Sequence, residues 1–157
     1  MIKIAITLAS ILFTVNPVTV DVNPPTWKLT MPEKAIKAGD EFTITLTTDN
    51  IPDGWYVYSN DFDFEDGPIK ADIAFVNSSE FTPVGELTAV NSTKHFDDVW
   101  EAEIAIFETG KATFTHKLKA NKANPQVKGT ISYQMCNSTT GMCILFDSEF
   151  SSTVTKQ

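Results

Sequence analysis

Residues 127–150 read VKGTISYQMCNSTTGMCILFDSEF and contain the only two cysteines of the chain, Cys136 and Cys143. On both sides of the cysteine pair, large apolar residues alternate with polar ones. This alternation is typical of β-strands that bury one face. The two runs are separated by a short stretch of turn-forming residues, which predicts a β-hairpin with a cysteine at each end of its turn.

The positions of the cysteines within the alternation predict where their sulfurs point. Cys136 falls out of phase with the large apolar residues of its run and in phase with Ser132 and Gln134, while Cys143 falls in phase with Asp147 and Glu149. We therefore expect both sulfurs to point away from the core. An even number of intervening residues lets the cysteines lie opposite each other, with Cβ atoms about 4.5–5.5 Å apart. A disulfide needs a similar separation.

The remainder of the sequence predicts an all-β domain. Short alternating runs recur along the chain, and no segment has apolar residues at helical spacing over three turns. We expect strands at 27–30, 41–48, 55–59, 71–76, 99–107 and 112–118, with the last two paired as a hairpin. Residues 77–85 read as a loop. The expected architecture is an antiparallel β-sandwich.

The N-terminal residues and the composition indicate one exported domain. Lys3 precedes the apolar run IAITLASILFTV at 4–15, so residues 1–20 are expected to be a signal peptide and 21–157 the domain. A first buried strand or an uncleaved anchor is the alternative. The formal net charge of -8 disfavours nucleic acid and anionic membrane surfaces as partners. Export would bring the cysteines into an environment where disulfides persist.

Three interpretations of the cysteine pair compete. A structural bridge would close a loop of about eight residues and contribute roughly 2.5 kcal/mol by chain entropy. A redox pair would exchange with thiols of another protein, which requires an accessible disulfide. A metal site is disfavoured, because His95 and His116 lie in separate predicted elements and the cysteine spacing matches no common zinc motif. The predicted site therefore contains no metal.

Other polar and aromatic residues have ordinary explanations. Tyr56 and Tyr58 share one face of their predicted strand, where packing accounts for them. The acidic run at 61–66 lacks the pattern of a calcium-binding loop and reads as solvated. His116 is in phase with Phe114 and Leu118, so we expect a hydrogen-bonded histidine at the margin of the sandwich.

Three segments resemble a known family. DGWYVYS at 53–59, the Gly67-Pro68 pair and the hairpin segment KGTISYQMC…C…F at 128–150 are similar to the amino-terminal domain of the transmembrane thiol:disulfide reductase DsbD. The resemblance implies an immunoglobulin-like sandwich in the periplasm. It also implies a domain that receives electrons from a membrane thiol reductase and passes them to soluble, thioredoxin-like proteins.

Site residues follow from this resemblance position by position. Cys136 and Cys143 match the redox cysteines, and Tyr56 and Tyr58 match tyrosines beside them. The family covers its cysteines with a loop that carries an aromatic and acidic residues, for which Glu80 and Phe81 are the nearest match. Asp97 and Asp98 are a rival placement. We expect a monomeric thiol–disulfide exchange domain, periplasmic or secreted, that uses no cofactor. The alternative is a secreted binding or structural module whose disulfide only closes the hairpin.

Overall fold

The computed structural model describes residues 22–63, 66–76, 79–98 and 100–152; the expected signal peptide lies outside these residues. The described residues form ten β-strands and no helix. The strands are β1 Lys28–Thr30, β2 Glu41–Ile51, β3 Trp55–Tyr58, β4 Asp72–Phe75, β5 Phe81–Ala89, β6 Thr93–Asp97, β7 Ala102–Phe107, β8 Gly110–Ala120, β9 Lys128–Asn137 and β10 Cys143–Ser151.

The strands form two antiparallel sheets. The first sheet has four strands in the order β1-β2-β8-β5. The second has six strands: β10-β9-β3-β7-β6 in order, with β4 also pairing β9. The expected all-β, immunoglobulin-like antiparallel sandwich with a two-cysteine hairpin is confirmed.

Alternation along the strands produces the core between the sheets. Every second side chain is buried along β8 and along β2 as far as Thr48, and in β9 the residues buried between the sheets have the parity expected from the sequence. Trp27 packs between Phe114 and Tyr133, with ring centroids 5.7 and 5.4 Å away. We call this cluster the sandwich core; its fully buried members include Ile44, Leu46, Val57, Phe114, Leu118, Ile131, Tyr133 and Met135.

The expected hairpin between 99–107 and 112–118 is wrong. β7 pairs with β3 and β6 in the second sheet, whereas β8 pairs with β2 and β5 in the first. The connection at Glu108 and Thr109 therefore crosses between the sheets. The Thr109 hydroxyl donates to the backbone carbonyl of Trp55 at 3.3 Å, which ties the crossing to β3. β7 and β8 each bury their apolar residues as an inner strand of a different sheet. This burial decides their pairing, although the connection between them is short.

The expected loop at 77–85 is also wrong, because β5 begins at Phe81. β5 is an edge strand of the first sheet and contains Pro83, a residue that edge strands tolerate. Its register against β8 shifts between Val84 and Thr88, which breaks the alternation that the sequence would otherwise show. Phe81 is buried in the sandwich core.

His116 lies where the sequence indicated. It is buried at the margin of the sandwich, its Nδ1 is 2.9 Å from the carbonyl oxygen of Lys117, and its ring packs against Phe75.

Candidate functional site

The cysteine hairpin has the expected register. Cys136 and Cys143 are direct partners across β9 and β10, and they form a disulfide with a Cα–Cα distance of 4.1 Å. The next pair towards the turn is hydrogen-bonded, since the Asn137 amide donates to the Met142 carbonyl at 2.8 Å. The cysteines therefore occupy a non-hydrogen-bonded pair, where opposing Cα atoms come closest.

The hairpin turn is also held by contacts other than the disulfide. Asn137 Oδ1 accepts hydrogen bonds from the amides of Thr139 and Thr140 at 3.0 and 2.9 Å and from the Thr140 hydroxyl at 3.1 Å. The amide and hydroxyl of Ser138 both donate to the carbonyl of Gly54, at 2.8 and 3.0 Å. The turn is thus fastened both to itself and to the connection before β3.

Both cysteines lie on the side of the sheet away from the sandwich core, as expected, but they differ in solvent exposure. Cys143 is exposed, whereas Cys136 is 0% exposed. Cys136 does lie outside the sandwich core, but it belongs to a second buried group on the outer side of the six-stranded sheet. We call this group the outer cluster; it consists of Tyr58, Phe62, Ile104, Ala105, Ile106 and Cys136, with Tyr56 and Trp100 packed against it.

Two segments remote from the hairpin contribute aromatic side chains to the outer cluster that contains Cys136. Phe62 belongs to the connection between β3 and β4, and Trp100 to the turn between β6 and β7. The Trp100 amide donates to Asp97 Oδ1 at 3.1 Å, which shapes that turn. Asp61 joins the β3–β4 connection to β6, the strand before that turn, through an ion pair with Lys94 at 3.5 Å. Phe62 and Trp100 were not identified from the sequence, because neither is close to the cysteines along the chain.

Tyr56 and Tyr58 extend the site across β3. Tyr56 is the direct partner of Cys136 in the β3–β9 pair, so Cys143, Cys136 and Tyr56 lie in one row across three strands. The tyrosine hydroxyls are 3.3 Å apart and the rings meet edge to face. Burial is the largest cause of the raised pKa of Tyr56. The hydrogen bond to Tyr58 comes next, and the negative charge of Asp97 contributes less. Tyr56 therefore stays neutral at physiological pH.

Glu80 and Phe81 lie elsewhere, which corrects the placement of the covering loop. Phe81 is in the sandwich core, paired with Ala120 in the first sheet. Glu80 forms an ion pair with Lys122 at 2.6 Å and accepts from the amide of Gln126 at 2.7 Å. The alternative placement of the covering loop, at Asp97 and Asp98, lies next to the outer cluster. Asp97 accepts a hydrogen bond from the Trp100 amide, and Trp100 packs against the cluster.

Gln134 is a further residue at the disulfide. Its side chain lies on the same outer face as the cysteines, as the alternation indicated. Its Nε2 is 3.8 Å from Cys136 Sγ, and its Oε1 accepts from the Ile69 amide at 2.7 Å. The side chain therefore bridges the β3–β4 connection to the sulfur of the buried cysteine.

No metal site accompanies the disulfide in the part of the chain that the structure describes, where no three His, Cys, Asp or Glu residues are grouped to hold an ion. His95 and His116 belong to different sheets. The described residues also include no helix long and apolar enough to cross a membrane.

Together, the fold and site define a β-sandwich domain with a half-covered disulfide on the outer face of one sheet. The sequence matches the family described as thiol:disulfide interchange protein DsbD, N-terminal, over residues 26–155, and the chain belongs to this family. Family membership and the disulfide together support thiol–disulfide exchange.

Solved structures and curated proteins were compared as well. The chain is similar to the reduced DsbD N-terminal domain of Neisseria meningitidis, with 17% identity, a TM-score of 0.47 and coverage of 76% of this chain and 82% of that one. A FixG-related protein from Vibrio parahaemolyticus matches with 15% identity and a TM-score of 0.32, over 82% of this chain and 96% of its own. The full-length major pilin SpaD of Corynebacterium diphtheriae matches with 14% identity and a TM-score of 0.37, over 80% of this chain and 33% of its own. A search of curated proteins gave no significant match.

Proposed function

We propose that this chain is an exported electron-transfer domain that cycles between a Cys136/Cys143 dithiol and disulfide. The observation that carries the proposal is the unequal exposure of the two cysteines: Cys143 is exposed and Cys136 is fully buried. A bridge that only closed a hairpin would need no such arrangement. A disulfide that exchanges with a partner benefits from it, because one sulfur is open to attack and the other is shielded.

The exchange reaction follows from this arrangement. In the reduced domain, the Cys143 thiolate attacks a partner disulfide, forms a mixed disulfide and releases one partner sulfur as a thiolate. The Cys136 thiolate then attacks Cys143 Sγ, which restores the Cys136–Cys143 bond and releases the second partner thiolate. Two electrons pass to the partner, and the domain is left oxidised. Because thiols and disulfides carry the electrons, no cofactor takes part.

The partners fit the same chemistry. The domain would be reduced by a membrane thiol reductase and would in turn reduce soluble thioredoxin-like proteins in the periplasm or outside the cell. Tyr56 and Tyr58 would support the site, since Tyr56 lies in the same row as the cysteines. We expect the domain to act as a monomer and to bind no nucleic acid, given its net charge of -8.

The reduction potential of the disulfide tests this function. The protein is equilibrated with glutathione buffers of graded potential, and the dithiol fraction is read by thiol alkylation and mass spectrometry. We expect a midpoint in the range of exchange proteins, from about -120 to -270 mV. A midpoint below about -300 mV would instead identify a structural bridge and favour the alternative of a secreted binding or structural module.

A further inference from the structure

We propose that Gln134 is a catalytic residue of the exchange reaction, donating a hydrogen bond from its side-chain amide to Cys136 Sγ as that sulfur becomes a thiolate. This inference rests on the proposed function, because it assigns a role within the same disulfide chemistry. It adds a residue that was predicted only to face the same side of the sheet as the cysteines.

The orientation of the Gln134 amide is set by its second partner. The backbone N–H of Ile69 can only donate, so the group facing it at 2.7 Å must be the carbonyl oxygen Oε1. The NH₂ group must then face the opposite way, where Nε2 lies 3.8 Å from Cys136 Sγ. Without the hydrogen bond to the Ile69 amide, the Gln134 side chain could turn either Oε1 or Nε2 towards the sulfur.

The buried surroundings of Cys136 explain why a donor is needed. Cys136 is enclosed by the outer cluster, whose other members are largely apolar. Burial away from water raises the free energy of a thiolate relative to a thiol. The charge of the Asp97 carboxylate is also one cause of the raised pKa of Tyr56, which lies in the same row as Cys136. A directed N–H group is therefore a favourable interaction for a negative sulfur here.

The reaction step shows when this interaction becomes strong. During reduction of the domain, a donor thiolate forms a bond to Cys143 Sγ while the Cys143–Cys136 bond breaks. The electron pair of that bond moves to Cys136 Sγ, which leaves as a thiolate. A neutral disulfide sulfur is a weak acceptor, whereas an ionised one forms a charge-assisted hydrogen bond. A donor fixed in place before reaction thus stabilises the transition state more than the ground state.

Two substitutions separate hydrogen-bond donation from packing. Gln134→Glu keeps the shape and the acceptor for the Ile69 amide but replaces the NH₂ group with a carboxylate oxygen. Gln134→Met keeps the approximate volume and removes both polar atoms. The matched control is Ser132→Ala. Ser132 also lies on the outer face of β9, but its hydroxyl donates to Asp147 at 2.6 Å, away from the disulfide.

The measurement is the rate at which dithiothreitol reduces the disulfide of the intact chain at neutral pH. We expect Gln134→Met to slow reduction by about 10- to 100-fold, the effect of losing a hydrogen bond to a charged group. Gln134→Glu should slow it further, because a carboxylate repels the forming thiolate. Ser132→Ala should react like the unmodified chain. Thermal unfolding of each oxidised protein checks that the fold is retained. If Gln134→Met does not fold, the reduction rate of Gln134→Glu is the test.

Two outcomes would overturn the role of Gln134: reduction of Gln134→Glu as fast as the unmodified chain, which would leave packing alone to explain any slowing by Gln134→Met, or reduction of a folded Gln134→Met as fast as the unmodified chain, since that variant lacks the donor. Neither would affect the proposed function, which depends on the midpoint potential of the unmodified protein. Conversely, a midpoint in the structural range would reject the function whatever the Gln134 variants do.

Discussion

Cys136 and Cys143 share one covalent bond but have unlike surroundings. Displacement at a disulfide needs an incoming thiolate to reach one of the sulfurs while the other leaves. In this chain the exposed residue is Cys143, and the shielded one is Cys136, which has Gln134 Nε2 beside its sulfur. The exposure of each cysteine therefore favours Cys143 as the residue that bonds to a partner and Cys136 as the one that resolves the mixed disulfide.

Single-cysteine variants test this assignment. We expect Cys136→Ser, which retains the exposed Cys143 thiol, to accumulate a mixed disulfide with a thioredoxin-like protein or a small aromatic disulfide. We expect Cys143→Ser to react at least about tenfold more slowly, because its remaining thiol is buried and its thiolate disfavoured. Non-reducing gels and mass spectrometry follow the adduct, and both variants denatured in urea provide the control. Equal trapping by the two folded variants would contradict the assignment.

β9 is the element that assembles the site. It pairs with β10 along its whole length on one side, and with β3 and β4 in series on the other. The connection from β3 to β4 therefore begins and ends beside β9, which brings Phe62 into the outer cluster and the Ile69 amide to the Gln134 side chain. The part of the outer cluster that this connection contributes is a consequence of the pairing.

Glu80 holds the segment that leads from β8 into β9. Its carboxylate contacts Lys122 Nζ and the Gln126 amide, and its backbone carbonyl accepts from Asn121, so the turn before β5 is joined to the segment that precedes β9. The side-chain bond to Lys122, followed by that to the Gln126 amide, lowers the pKa of Glu80. A lowered pKa means that the contribution to stability is present above the ordinary carboxyl pKa and is lost as pH falls through the value in the folded protein.

We expect Glu80→Gln to lower the free energy of unfolding at neutral pH, with the difference from the unmodified chain shrinking as pH falls below the ordinary carboxyl value of 4.5. Urea denaturation above and below this value measures the effect. The control is Glu41→Gln, which removes the carboxylate of a 3.8 Å ion pair with Lys117 whose two side chains are both more than half exposed. Such exposed pairs contribute little. A difference for Glu80→Gln that stays constant with pH would exclude the ionised carboxylate as its cause.

Stability and redox chemistry occupy different sides of the second sheet. The sandwich core lies between the sheets and contains most of the large buried side chains, whereas the disulfide and the outer cluster lie on the other face. The hairpin turn is held by Asn137 and Ser138 independently of the disulfide. A change in the redox state of the cysteines therefore leaves the main source of folding free energy intact.

Reduction should accordingly leave the domain folded. We expect the dithiol form to keep its far- and near-ultraviolet circular dichroism and to lose at most about 2.5 kcal/mol of unfolding free energy, the chain-entropy contribution of a loop of about eight residues. Phe114→Ala in the sandwich core should cost more, about 3–5 kcal/mol. Urea denaturation with and without dithiothreitol compares the two. Cooperative unfolding on reduction alone would show that the disulfide is part of the main structural framework.

Some features of this fold follow from alternation within single segments. The parity of Ile131, Tyr133 and Met135 predicted which face of β9 is buried between the sheets, and the even spacing of the cysteines was compatible with the direct partnership that the structure shows. Both depend only on the two-residue period of a strand. Alternation failed in β5, where Pro83 and a register shift interrupt it, and Phe81 consequently read as part of a loop.

Sequence patterns thus predicted the all-β class and the hairpin and allowed its cysteines to pair, because alternation and spacing depend on residues close along the chain. They did not establish that Cys136 is buried, that β7 and β8 belong to different sheets, or that Gln134 connects Ile69 to a sulfur. Those features arise where segments distant in sequence meet, and the hydrogen-bond partners and the cover are selected by the packing of the whole molecule. Two cysteines that look equivalent along the chain are for that reason unequal in the folded protein.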